Sequence, residues 1–192
     1  MVMSRSRSKC PILAAMFARI TRWLFAIIVL PGTALVLVPW ALLSISRTLG
    51  NTTTHADPGE IQFLIGVAFA VIGLYLALWT MSLFFRFGKG TPAPWDPPSQ
   101  LVIRGPYRHV RNPMILGVLL MLVAESLLFG SWFVAGWTAV FFLANLIYFP
   151  LVEEPGLEKR FRDDYATYCG NVGRWIPRLT PYRAPHETSS DS

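Results

Sequence analysis

Four long apolar stretches, about Trp23–Ser44, Ile61–Phe85, Pro113–Phe129 and Trp132–Val152, leave this chain few folds to choose from. Each comes close to the roughly 17–25 helical residues that cross a ~30 Å hydrocarbon layer. Lipid offers no partner to a backbone amide, so a spanning segment must satisfy its own N–H and C=O groups, which at these lengths means helices. Composition agrees: 53% of the residues are hydrophobic, 15% are charged, and the mean hydropathy is +0.45, too apolar for an ordinary soluble domain. The expected fold is all-α: a polytopic membrane protein with four transmembrane helices, a tight helical hairpin in its C-terminal half and a C-terminal amphipathic helix.

The basic residues give this bundle a direction. Arg5, Arg7, Lys9, Arg19 and Arg22 precede the first stretch; Arg86, Lys89, Arg104, Arg108 and Arg111 lie between the second and third; Lys159, Arg160, Arg162, Arg174, Arg178 and Arg183 follow the fourth. Of the 17 lysines and arginines, Arg47 alone falls in the first loop. The positive-inside rule then puts both termini in the cytoplasm of an inner or plasma membrane. The net charge of +6 suits an anionic inner leaflet and membrane lipids as partners. It does not suit nucleic acid, since no basic face is interleaved with exposed aromatics. Cys10 and Cys169 fall on the reducing side without ligand spacing, so neither a disulfide nor a metal is expected. The first stretch is long for a signal peptide and has no small-x-small cleavage site after it.

The segments follow from this reading: a basic N-terminus (1–22), the first two spans (23–85), a Pro/Gly-rich cytoplasmic loop (86–112), a helical hairpin (113–152), a motif with an amphipathic helix (153–180) and a polar tail (181–192). Pro31 and Pro39 should kink the first span. Gly66, Ala70, Gly73 and Ala77 recur at helical spacing on the second, a seam on which another helix can pack closely. Gly130 and Ser131 alone separate spans three and four, so "RNP" (Arg111–Pro113) and "EEP" (Glu153–Pro155) should meet at one end of the hairpin. Asn112 is a good helix cap and Pro113 suits the first helical position. Pro155 biases Glu154 away from helical geometry, so span four should stop near Glu153. Beyond it Leu157, Phe161, Tyr165, Tyr168 and Val172 form an amphipathic stripe that could roof the hairpin mouth.

Chemistry concentrates at that mouth. Two adjacent carboxylates ending an apolar run are costly to desolvate unless cations meet them. Arg108 and Arg111 are within reach, so one acid can pair with an arginine while the other faces a cationic ligand. Glu125, near Gly130 at the far end, is expected to reach water in preference to serving as a buried functional acid, and Asn145 is as easily an interhelical hydrogen bond as a functional group. His55, His109 and His186 are scattered, and no set of nucleophile, base and orienter is present. A reaction that needs mainly positioning and exclusion of water fits, such as methyl transfer from a sulfonium donor.

"GPYRHVRNPMILG", followed by a hairpin and "EEPGLEKRFRDDYATYCGNVGRWIP", resembles the isoprenylcysteine carboxyl methyltransferase and phospholipid methyltransferase superfamily of integral membrane enzymes. Gly105, Tyr107, Arg111, Pro113 and Gly117 match its first motif; Asn112 and Ile115 stand where the carboxyl methyltransferases carry His and Tyr, whereas "NPM" is the phosphatidylethanolamine methyltransferase form. The resemblance implies S-adenosylmethionine as cofactor and a lipophilic acceptor from the bilayer, either a prenylcysteine-like carboxylate or a lipid amine. It implies that Leu101, Val102, Tyr107, Asn112, Pro113, Met114, Ile115, Gly117, Glu153 and Glu154 hold the cofactor, with Arg111, Asn112 and Glu154 in catalysis. Two positions depart from the pattern. The second motif reads Phe161–Arg162 where Phe-Gly is usual. The arginine that eukaryotic carboxyl methyltransferases use for the acceptor carboxylate is replaced by Phe149, leaving Arg174 as the substitute. The alternatives are an NADPH-dependent membrane reductase, whose phosphates would want the arginines, and a non-catalytic membrane scaffold.

Overall fold

The computed structural model describes Thr21, Phe25 and residues 28–50, 55–88 and 100–183. Most of the basic N-terminus, residues 89–99 of the Pro/Gly-rich loop and most of the polar tail lie outside the described residues. Among those described the fold is helical, without strands. A π-helical stretch, Ile28–Leu37, with Pro31 inside it, leads into α1 (Val38–Thr48). Then come α2 (Ile61–Leu83) with a π-helical end Phe84–Gly88, a 3-10 turn Gly105–Arg108, α3 (Pro113–Leu128), α4 (Trp132–Tyr148), a π-helical turn Phe149–Glu153 and α5 (Glu154–Asn171). Two continuous helices, Ile61–Gly88 and Trp132–Asn171, are long and apolar enough to cross a bilayer; Pro113–Leu128 is apolar but shorter.

The small-residue seam of α2 packs directly on α3. A Cβ built on Gly73 would lie 2.7 Å from the Gly117 carbonyl oxygen, and one on Gly117 would lie 2.8 Å from the Gly73 oxygen. Gly66, Gly73 and Ala77 are buried along this line, while Val71, Leu74, Tyr75 and Leu78 point outward. The seam has polar ties at one end: Gln62 Nε2 donates to the Leu127 carbonyl at 2.6 Å, and the Ala56 amide donates to Leu128. The 16-residue α3 and 17-residue α4 are joined through Gly130, whose φ of +54° suits glycine, and Ser131, whose hydroxyl accepts from the Val134 amide. Nearly equal lengths and so short a turn bring the start of α3 level with the end of α4. Glu125 departs from its expected exposure: its Oε2 is buried and has no hydrogen-bond partner. Asn145 bonds within its own helix, to the Phe141 carbonyl, and not across helices.

The helix does not stop at Pro155. Glu154 is helical (φ −62°, ψ −44°) and the chain runs on into α5. A proline ring clashes with the carbonyl four residues back in α geometry; the widened π turn just before it shifts that carbonyl and removes the demand for an N–H. The real interruption comes at Arg162, with φ 42° and ψ −118°. That region strongly favours glycine, and a side chain there costs on the order of 1–3 kcal/mol. Glycine would lose about 1 kcal/mol of this to chain entropy. Arg162→Gly is therefore expected to raise the thermal midpoint by roughly 2–4 °C, read by circular dichroism in detergent; a lower midpoint would show that the side chain holds the bend by other contacts.

The apolar stripe of α5 is buried inside the protein. Tyr165, Tyr168, Val172 and Tyr182 form a core, and Leu101, Ile103, Leu157, Phe161 and Cys169 pack on it. The chain after α5 returns as a strap along residues 108–111: Arg111 N donates to Gly173 O, Arg178 N to His109 O and Tyr182 N to Arg108 O, each at 2.9 Å. The expected roof over the hairpin mouth thus consists of a helix plus a strap.

Candidate functional site

"RNP" and "EEP" do meet. Arg111 Nη1 lies 3.2 Å from Glu154 Oε1. Arg174, carried in by the strap, donates from Nε and Nη2 to the two Glu154 oxygens, both at 2.7 Å. This forked pair is the strong geometry for a guanidinium and a carboxylate. The hydrogen bond to Glu154 holds the Arg174 guanidinium above its ordinary range. Arg111 also donates to Cys169 Sγ at 2.8 Å. One acid is therefore spent on two arginines. The side chains of Arg111 and Glu154 are 14% and 18% exposed, so the cluster is largely withdrawn from water and its charges depend on one another.

Glu153 precedes Glu154 directly, just past the apolar part of its helix. Burial pushes its carboxyl above the usual carboxylate range, and Arg160 pulls the other way. Tyr107 is buried, and its hydroxyl is raised well above its usual value by burial first, then by Tyr168 and Glu153. The Tyr107 carbonyl accepts from the Tyr168 hydroxyl at 2.7 Å, which locks the 3-10 turn under α5.

Asn112 precedes α3 as expected but does not cap it. Its side chain makes no capping bond, and Nδ2 is buried without a partner. Arg111 Nε, the Tyr148 hydroxyl and Trp175 Nε1 are in the same condition. A buried donor left unpaired costs on the order of 1–3 kcal/mol. Four such donors sit in or next to the cluster along the chain: Arg111 within it, Asn112 and Trp175 adjacent to Arg111 and Arg174, and Tyr148 about a turn before Glu153. An aromatic wall adjoins: Trp175 meets Phe149 edge-on at 5.7 Å and Phe142 at 5.6 Å, and Tyr148 meets Phe149 at 5.8 Å.

The remaining sequence candidates divide by position. Val102 and Pro113 are buried, and Leu101, Met114 and Ile115 are partly so. Leu101 packs under α5, and Gly117 serves the α2–α3 seam. Sequence reasoning missed Tyr148 and Trp175. Their signal was faint: Tyr148 precedes the acid pair by about one turn, and Trp175 is adjacent to Arg174, but both resemble the aromatics found at any membrane boundary.

The sequence profile of the phospholipid methyltransferases matches residues 61–164, more than half of the chain. The chain belongs to the phospholipid methyltransferase family. The matched region runs from the start of α2 through the hairpin and the acid pair into α5. No curated protein and no solved structure shows a match. Membership implies a membrane methyltransferase. The strap, with Arg174 and Trp175, lies beyond the part that matches the phospholipid methyltransferase profile.

Proposed function

We propose that this protein transfers a methyl group from S-adenosylmethionine to a lipophilic acceptor, with the acid pair, Asn112 and the aromatic wall as its site. The four-span bundle would place that site at the cytoplasmic rim. S-adenosylmethionine, when bound, supplies a methyl group on a positively charged sulfur. The residues present suit such a guest: Asn112 Nδ2, the Tyr148 hydroxyl and Trp175 Nε1 are buried donors without partners, and the Glu153 carboxylate is near enough to Tyr148 to act on its hydroxyl electrostatically. The observation that carries the reading is the division of labour between the acids. Glu154 is consumed by Arg111 and Arg174, whereas the cation acting on Glu153 is the exposed Arg160, whose charge a sulfonium would supplement.

Arg174 bears on the acceptor. Its fork is engaged with Glu154, so it is poorly placed to take an acceptor carboxylate, and Phe149 is buried and apolar at the position that would do so in the carboxyl methyltransferases. A lipid amine is the better match. Glu153 would take the proton that an ammonium must lose before its nitrogen can attack, a role helped by a carboxyl titrating above the usual range. The committed arginines equally disfavour a nucleotide phosphate, and with it the reductase alternative.

Glu153→Gln is expected to weaken S-adenosylmethionine about tenfold, the equivalent of roughly 1.4 kcal/mol, while changing affinity for the uncharged S-adenosylhomocysteine little. The carboxylate is charged above its raised titration point, so donor affinity in the unmodified protein should fall as the pH drops through it, starting above the ordinary carboxylate range. Glu153→Gln should remove that step. Isothermal titration with both compounds across pH tests this; equal losses for the charged and uncharged ligand would remove Glu153 from the sulfonium.

A further inference from the structure

On another face of the same end, a cavity of about 440 Å³ opens where α2 ends and α3 begins. Leu76 and Trp79 of α2 and Leu116 of α3 supply its apolar walls, Arg108 and His109 its polar rim, and Pro177 of the strap its outer edge. None of Arg111, Asn112, Glu153, Glu154 or Arg174 lines it, and among the described residues no acid does. Its surroundings are apolar and exposed: Leu78 is 58% exposed on α2, and on the strap Ile176 and Leu179 are 83% and 98% exposed. Side chains that apolar on a loop beside a spanning bundle belong at the acyl boundary. His109 Nδ1 lies 2.8 Å from the Arg178 carbonyl; a carbonyl only accepts, so Nδ1 carries the proton and Nε2 is the remaining ring nitrogen. Gly105, at φ +55°, lets the turn approach closely: a Cβ there would come within 3.1 Å of the Trp79 ring and Leu83. The wall is thus a fixed part of the fold.

We propose that this cavity binds an anionic phospholipid, separately from the methyl-transfer site. Its phosphate meets Arg108 at headgroup level, and the first part of an acyl chain lies against Leu76, Trp79 and Leu116. The pairing rests on charge complementarity, the Arg108 guanidinium above an apolar slot with no acid among its described lining residues. Arginine suits phosphate recognition, and a basic residue at a membrane surface contributes about 1 kcal/mol toward an anionic headgroup.

Native mass spectrometry of the detergent-purified full chain, titrated with palmitoyl-oleoyl phosphatidylglycerol or the matching phosphatidylcholine, tests the proposal. The unmodified protein should retain the anionic lipid about fivefold better. Arg108→Gln should bring the two to parity. Leu116→Trp, which fills the slot and alters no charge, should reduce retention of both, and it decides the matter if Arg108→Gln does not fold. Lys159→Gln, at an exposed α5 residue away from the cavity, should keep the preference. Equal retention by the unmodified protein overturns the proposal, as does a preference surviving in Arg108→Gln, unchanged retention in Leu116→Trp, or a loss in Lys159→Gln as large as in Arg108→Gln. Titration with S-adenosylhomocysteine on the same samples reports the methyl-transfer site independently.

Discussion

Glu154→Gln should be the most damaging isosteric change in the protein, lowering stability by on the order of 3 kcal/mol and turnover by at least about a hundredfold. The Glu154 carboxylate accepts two Arg174 bonds at 2.7 Å and stands 3.2 Å from Arg111. An amide keeps the shape but returns only one acceptor and turns an N–H₂ toward two guanidiniums. Arg111, 14% exposed, would then sit without its carboxylate in a largely buried place, beside the more exposed Arg174, and the cost arises there rather than in the lost contacts themselves. Function should suffer through position. Arg111 adjoins Asn112, and its amide is bonded to Gly173, so a shifted guanidinium moves the site by a fraction of an ångström or more. Thermal unfolding in detergent and transfer of labelled methyl to a lipid extract give the two readouts. Adding Arg174→Gln should restore part of the stability, because it removes one stranded charge. A single Glu154→Gln protein melting at the original temperature would show that the cluster is solvated after all.

Gly117→Ala should also be severely damaging, although alanine is the better helix former by about 1 kcal/mol. The added carbon would lie 2.8 Å from the Gly73 carbonyl oxygen and 3.0 Å from the Ala77 nitrogen. Those are backbone atoms, which cannot rotate away, so α2 and α3 must part along their length. Overpacking of this kind costs about 1–3 kcal/mol, occasionally more, and it outweighs the propensity gain. Gly136→Ala provides the control: nothing lies within 4 Å of a Cβ at Gly136 on α4, so only the propensity term acts and stability should rise slightly. Opposite signs in two otherwise identical substitutions, read by thermal denaturation, would establish the seam. Matching signs would mean that α2 and α3 are held by something else.

The legible parts of this protein were those fixed by neighbours in sequence. The seam could be read because Gly66, Gly73 and Ala77 repeat at helical spacing. The meeting of Arg111 with Glu154 could be read because the turn at Gly130 leaves α3 and α4 no freedom of register. The burial of Tyr165, Tyr168 and Val172 followed from their stripe. What could not be read was set by distant partners or by alternatives close in energy. Pro155 ends a helix by local rules, yet a π turn costs less here than breaking a long apolar helix. Asn112 is a capping residue by type, but its side chain is drawn away from that use. Arg174 reached Glu154 only because the strap is fastened to residues 108–111, more than sixty positions earlier, and no local pattern announces that pairing. Arg162 breaks a local preference outright, and it could be recognised as strained only once its backbone angles were known.

The strap imposes an order on biosynthesis. Arg174 leaves the ribosome well after the hairpin that carries Arg111 and Glu154, so the nascent bundle can enter the bilayer while its acid still lacks its bidentate cation. Insertion and competence thus become separate events, the first driven by hydrophobic partition and the second by a late backbone closure over a long loop. A chain cut short within α5 would keep the hairpin and its acid pair but lack Arg174 and the strap.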